Sequence, residues 1–231
     1  MNLRRDGPPL RVGHRGAPAL APENTLLSIA AAIEIGVDLV EMDVLTDGGV
    51  LRLAHSPAQL APESPTLADA LAFLAERDVG IILDLKSNGI EADVVEALRR
   101  RSLVERSLVA SFHPRALRTL KHLEPELATG LSYPFDRTGI AERPRFQPLI
   151  RAGLAGLRRT LPARIARMLA RARADAALLH YALVSRRLVE RCHARGAAVL
   201  AWTVLDEEAL RRVLVAGVDG VIANDPRLLA D

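Results

Sequence analysis

Cysteine is almost missing from this sequence. The one residue, Cys192, cannot form an internal disulfide, and with Glu190 and His193 beside it in a helical pattern it carries no nucleophile signature. Aromatic residues make up only 3% of the 231 residues, and just two of the 31 basic residues, Lys86 and Lys121, are lysines. So few rings leave little for bases to stack on, and the arginine excess accompanies an alanine and leucine bias. The formal net charge of +3 is therefore not read as a nucleic-acid footprint. No run approaches the roughly 18 uninterrupted apolar residues of a membrane span, and Met1-Asn2-Leu3-Arg4-Arg5-Asp6 has no apolar stretch behind its charges. Neither a span nor a leader is expected, and the reducing cytoplasm is the expected address.

What is present is the composition of an ordinary globular domain, with 49% hydrophobic and 26% charged residues. Short leucine- or β-branched-rich runs alternate with segments of helical period, which predicts a parallel sheet with crossover helices. Eight strands are expected at 10–13, 38–45, 80–86, 107–112, 126–132, 175–180, 197–204 and 218–223. Seven helices are expected between them, at 24–35, 67–77, 90–101, 114–123, 161–173, 185–195 and 206–216. Eight strands with seven helices between them favour a closed TIM (β/α)8 barrel over an open doubly wound sheet. The expected layout is an N-terminal tail over 1–9 and one α/β domain over 10–231. Gly36, Gly196 and Gly217 stand where helix C-caps belong, Thr66 and Asp206 where N-caps belong. Asp47-Gly48-Gly49 followed by Val50-Leu51-Arg52-Leu53-Ala54 predicts a short side hairpin after the second strand. Between 133 and 160, Pro134, Pro144 and Pro148 break any regular pattern.

In such a barrel the working groups sit at the carboxyl ends of the strands. There the sequence places Gly13-His14-Arg15-Gly16, Glu41-Met42-Asp43 and Asp84-Leu85-Lys86. Residues two apart on a strand share a face, so Glu41 pairs with Asp43, and Asp84 with Lys86. Three converging carboxylates without histidine or cysteine describe an oxygen-ligand site for calcium or magnesium. His14 and His55 beside it suggest general acid and base. Arg15 is a bidentate phosphate donor by type, and the helix starting near Asn24 offers amides to an anion.

Together these pieces resemble the glycerophosphodiester phosphodiesterase family: His14-Arg15-Gly16, Pro22-Glu23-Asn24-Thr25, Gly36-Val37-Asp38 leading to Glu41 and Asp43, and His55. Ser111-Phe112, Ala201-Trp202-Thr203-Val204, Gly217-Val218-Asp219-Gly220-Val221-Ile222 and Asn224-Asp225-Pro226 extend the resemblance over about residues 10–228. It implies hydrolysis of glycerophosphodiesters to glycerol 3-phosphate and an alcohol with a divalent cation. His14 and His55 would be the acid and base, Glu41, Asp43 and Asp84 the metal ligands, and Arg15 and Lys86 the phosphate holders. Phe112 and Trp202 would wall the site, with Glu23 and Asn24 supporting it. The resemblance further implies attack by the substrate's own glycerol hydroxyl, through a cyclic phosphate that water opens.

Three departures stand out. Ser56 follows His55 where the family usually has aspartate. Asp84 replaces the usual glutamate, which brings the ion closer to its strand or adds a water. The short loop from Ser56 to Pro65 stands where relatives carry a larger insertion, so an open mouth is expected. A lysophospholipase D acting on a larger lipid, and a catalytically silent barrel serving as a binding module, remain the alternatives. His113 and His180 fall near strand ends, whereas His122 and His193 are expected to face solvent. Residues 157–171 form a basic amphipathic helix, whose apolar stripe either packs on the barrel or makes weak contact with an anionic membrane. Self-association is left open.

Overall fold

The computed structural model describes residues 1–135 and 147–229. Eight parallel strands close into a barrel: β1 (Leu10–Gly13), β2 (Leu39–Asp47), β4 (Gly80–Leu85), β5 (Ser107–Ser111), β6 (Ala128–Tyr133), β7 (Ala176–His180), β8 (Ala198–Val204) and β9 (Gly220–Ala223). The ring is completed because β1 pairs with both β2 and β9. β3 (Val50–Leu53) lies outside it, antiparallel to β2, as the side hairpin that the Asp47-Gly48-Gly49 turn predicts. The helices are α1 (Leu26–Ile35), α2 (Leu67–Ala75), α3 (Glu91–Arg100), α4 (Pro114–Leu123), α5 (Gln147–Ala172), α6 (Arg186–His193) and α7 (Glu207–Ala216).

The strands' two-residue period divides the core in two. Val40, Met42, Val44, Ile81, Leu83 and Val109 turn outward beneath the helices. Val12, Leu39, Ile82, Leu108, Leu178, Leu200 and Ile222 fill the barrel interior. Gly130 belongs to this inner layer, where a Cβ would collide with Leu178. Leu3, in the segment read as a tail, is also buried with the inner set, and the backbone amide of Arg5 donates to Asp219 Oδ1 at 3.1 Å. The caps form as their residues predict: Thr66 makes a capping box with Asp69, Asp206 accepts from the Ala209 amide, and Gly36 and Gly217 are left-handed.

The largest difference is α5, which begins at Gln147 rather than at 161. Proline marks a break only where an amide is needed. Pro148 falls in the first turn, where the amide has no intrahelical partner, and Pro162 costs a single bond inside 26 residues. Pro144 lies outside the described residues. The apolar stripe of the 157–171 segment packs inward, with Leu161, Ile165 and Leu169 buried, while Arg164, Arg167 and Arg171 are exposed. Among the described residues no helix is long and apolar enough to cross a membrane.

Candidate active site

The β1–α1 connection brings four of the predicted residues together. Arg15 adopts φ 52° and Asn24 φ 57°, both left-handed, and Gly16 lies so close to α1 that a Cβ would collide with the Ser28 backbone. Ser28 fastens the loop, its hydroxyl donating to the Arg15 carbonyl at 2.9 Å and accepting from the Ala17 amide at 2.8 Å. Asn24 lies before α1 rather than in it. Its own amide donates to the Arg15 carbonyl at 3.1 Å, and Thr25 caps the helix through the Ser28 amide. The side chains of this turn serve Asp43: Asn24 Nδ2 donates to Asp43 Oδ2 and Asn24 Oδ1 accepts from the Asp43 amide, each at 3.0 Å.

Glu41, Asp43 and Asp84 point inward as the alternation predicts, and β2 and β4 set Asp43 level with Asp84. They are 4%, 1% and 8% exposed, and one oxygen of each lies within 4.8 Å of the others. This is the one group of three such ligands among the described residues. Cations partly offset the charge. Lys86 Nζ is 2.9 Å from Asp43 Oδ1 and in closer contact with Asp84 Oδ2, and Arg15 Nε is 2.9 Å from Asp43 Oδ2. Burial, together with Asp43 and Asp84 nearby, pushes the Glu41 carboxyl well above the usual range. Burial raises Asp84 too, with Asp43 adding to it against the pull of Lys86. For Asp43 burial is outweighed by Lys86, the His55 hydrogen bond and Arg15, so its carboxyl is held low. Burial is likewise outweighed at Lys86, whose three carboxylate neighbours raise it. Asp84 Oδ1 is buried and accepts no hydrogen bond. A buried, unpaired carboxylate oxygen among three converging acids fits a hard divalent cation.

The two imidazoles are both held by Nδ1. His14 Nδ1 is 2.6 Å from Asn224 Oδ1, while its Nε2 faces Glu41 Oε2 at 3.9 Å. Burial, then the Arg15 charge, lowers the His14 pKa to about 4, so this ring is neutral near pH 7. His55 Nδ1 lies 2.9 Å from Arg15 Nη2 and 3.2 Å from Asp43 Oδ2. The ring is thus oriented without help from residue 56; the Ser56 hydroxyl turns away to Gln59 Oε1 at 3.1 Å. Arg15 Nη1 reaches both oxygens of Glu23 at 2.9 Å.

These groups open into a cavity of about 660 Å³, whose other walls include Phe112, Trp202, His113 and His180. Phe112 and Trp202 meet edge to face, centroids 6.2 Å apart, and His180 stands 5.4 Å from Trp202. No residue of 56–65 lines the cavity. That loop folds back instead, with Leu53 N donating to Pro65 O at 2.9 Å. His122 is exposed, but His193 is bound to the buried Asp219 at 2.8 Å, and burial with Asp219 nearby pushes the Cys192 thiol up to about 12. Sequence reasoning missed Asn224 as the partner of His14; its signal was the Asn224-Asp225-Pro226 ending already noted. It also missed the wall that α5 adds, because the prolines hid that part of the helix.

Comparison with known proteins gives the same picture. The model of the glycerophosphoryl diester phosphodiesterase family matches residues 14–60 and 51–228. A glycerophosphodiester phosphodiesterase of Caldanaerobacter subterraneus subsp. tengcongensis is 28% identical, over 95% of this chain and 96% of its own. An Oleispira antarctica phosphodiesterase, solved in complex with the product sn-glycerol-3-phosphate, superposes with TM-score 0.72 at 24% identity, covering 95% of this chain and 94% of that one. The glycerophosphodiester phosphodiesterase of Thermotoga maritima gives 0.71 at 21% identity, covering 95% and 96%. The chain therefore belongs to the glycerophosphoryl diester phosphodiesterase family of enzymes.

Proposed function

We propose that this chain hydrolyses glycerophosphodiesters to sn-glycerol 3-phosphate and an alcohol, with Glu41, Asp43 and Asp84 holding a divalent cation and His14 and His55 moving the protons. The observation that carries the reading is the convergence of three buried acids, Lys86 and two Nδ1-anchored imidazoles at one end of one cavity. When bound, calcium or magnesium supplies Lewis-acid polarisation of a phosphoryl oxygen. Lys86 and Arg15 line the same end and attract the diester's negative charge, Lys86 as a point charge and Arg15 through the donor capacity left by Glu23 and Asp43.

With Nδ1 of each ring committed to the protein, Nε2 is the nitrogen presented to substrate. One ring, neutral, takes the proton of the attacking hydroxyl on Nε2, and the other, entering the step as the imidazolium, gives its Nε2 proton to the leaving alcohol oxygen. Asn224 keeps the His14 ring in one orientation, while Asp43, accepting from Nδ1, does so for His55. Glu23 and Asn24 act one step back, on Arg15 and Asp43. Phe112 and Trp202 exclude water from one flank.

The test is an assay for glycerol 3-phosphate released from glycerophosphocholine and glycerophosphoethanolamine, run with calcium, magnesium and EDTA. Release with either metal and none with EDTA is expected. Equal release in EDTA overturns the cation requirement, and no release under any condition overturns the hydrolase reading.

A further inference from the structure

Glu41 and Asp43 stand on β2, and in the ring of eight strands the position directly across from β2 is β7. There β6, β7 and β8 present Ser132, His180 and Thr203 to the cavity, polar groups without an acid among them. Glu41 and Asp84 are the only carboxylates among the described residues that line it. Register orders the first two by depth. Ser132 is level with Leu178, and His180, two residues on along the same face, is level with Trp202 nearer the mouth.

Both groups are fixed in place and open to a partner. Ser132 is 4% exposed, and its hydroxyl makes no hydrogen bond among the described residues. A buried hydroxyl facing a cavity without a partner is completed by a ligand or by water. His180 Nδ1 accepts from the Ala182 amide at 3.2 Å, Tyr181 stacks on the ring at 4.6 Å, and Trp202 stands at 83° to it. Burial, then the Arg212 charge, lowers this imidazole to about 4, so it is neutral near pH 7. With Nδ1 accepting, its proton sits on Nε2. His180 therefore offers the cavity one N–H and no lone pair.

That pattern sorts the alcohols a diester can carry. The attacking arm is held at the acidic end by the catalytic imidazoles, so the rest of the leaving alcohol extends toward this wall. A hydroxyl can accept from His180 Nε2, and it can both donate to and accept from Ser132. An ammonium has no lone pair for His180, and a trimethylammonium can bond to neither group. Charge works the same way. Arg212 is bonded to the Ala182 carbonyl at 3.2 Å, two residues on from His180, and Lys86 Nζ already stands 5.7 Å from the Phe112 centroid. A cationic headgroup would meet two like charges here and no acid. We infer that Ser132 and His180 form a leaving-alcohol subsite that selects neutral, hydroxyl-bearing headgroups, so that diesters of glycerol and similar polyols are used in preference to those of choline or ethanolamine. This rests on the phosphodiesterase reading and names the class of alcohol for that same site. The reaction is unchanged: the P–O bond to the headgroup breaks, its oxygen takes the imidazolium proton, and the oxygen of water ends on phosphorus.

The experiment measures kcat/KM for glycerophosphoglycerol and glycerophosphocholine with the divalent cation present, in wild type, Ser132→Ala, His180→Asn and His180→Gln. Asparagine places an oxygen where Nδ1 accepts from Ala182 and leaves nothing at Nε2, whereas glutamine places an amide nitrogen near Nε2. Trp202, the sole tryptophan, stands beside His180, and its emission reports binding of each diester in parallel. In wild type the ratio of the two kcat/KM values should exceed the statistical advantage of two equivalent glycerol arms. It should fall about 3- to 10-fold in S132A and in H180N, the effect of one neutral hydrogen bond, and recover in H180Q.

A wild-type ratio at or below the statistical value overturns the subsite, and so does a ratio that S132A leaves intact. A ratio in H180Q no better than in H180N overturns the donor role of His180. If no diester is turned over, the hydrolase reading falls and Trp202 emission decides the subsite separately. Tighter binding of glycerophosphoglycerol than of glycerophosphocholine, lost in S132A, supports it, and equal binding overturns it.

Discussion

Asn24 and Asp43 are joined by a reciprocal pair of hydrogen bonds, amide to carboxylate and backbone amide to carbonyl oxygen, each 3.0 Å long. This pairing is available only because Asn24 sits at φ 57°, a conformation asparagine tolerates better than most residues. It presents Asp43 to the site with one oxygen occupied and the other turned to Lys86.

Asn24→Gly keeps the left-handed backbone and removes only the side chain. Affinity for the divalent cation should fall about 10- to 100-fold, the usual effect of losing a partner of a ligand. Calorimetric titration of the cation reads it; unchanged affinity would show that Asp43 is placed by the strand alone.

Asn224 orients His14, so Asn224→Ala should lower kcat by about 10- to 100-fold with KM little changed, since acid–base help is worth roughly 100-fold or more. Asn224→Asp retains an acceptor and adds a negative charge beside the ring. It should raise the His14 titration and move the acid limb of the kcat/KM profile to higher pH. A change confined to KM would argue against the assignment.

Glu41 titrates well above its usual range because burial and two acidic neighbours disfavour its charge. Glu41→Gln should therefore stabilise the cation-free protein at pH 7 and raise its Tm, while abolishing turnover. The amide oxygen can still accept from the Arg15 amide, which Glu41 Oε2 does at 2.8 Å. A lower Tm for the variant in EDTA would contradict this. By the same logic, cation binding should raise the wild-type Tm and release protons, measurable as a dependence of the binding heat on buffer.

His14 and His180 are both lowered from 6.5 to about 4, His14 by burial and then Arg15, His180 by burial and then Arg212. The unfolded chain takes up these protons near pH 6.5 and the folded chain only near pH 4. Their stabilising contribution is complete above pH 6.5 and is lost as the pH falls from there to about 4. His180→Asn can still accept from the Ala182 amide and carries no titrating group. Its Tm should fall less steeply over that window, by a few degrees for roughly 1–3 kcal/mol. Parallel Tm curves for variant and wild type would overturn it.

The sequence by itself determined the barrel and most of the acidic centre, because both rest on local rules. Strand period alone sets Glu41 with Asp43 and Val40 with Met42 and Val44, and glycines and short polar residues mark the helix ends. What only the tertiary structure decided are relations between distant segments. The register that puts Asp84 beside Asp43, the bond from His14 to Asn224, and the orientation of His55 by Asp43 in place of residue 56 all depend on ring closure, which no local pattern encodes. The reach of α5 belongs here as well. Prolines read locally as breaks are tolerated because tertiary burial of Leu161, Ile165 and Leu169 outweighs one missing hydrogen bond, and the helix thereby extends its apolar face over the mouth.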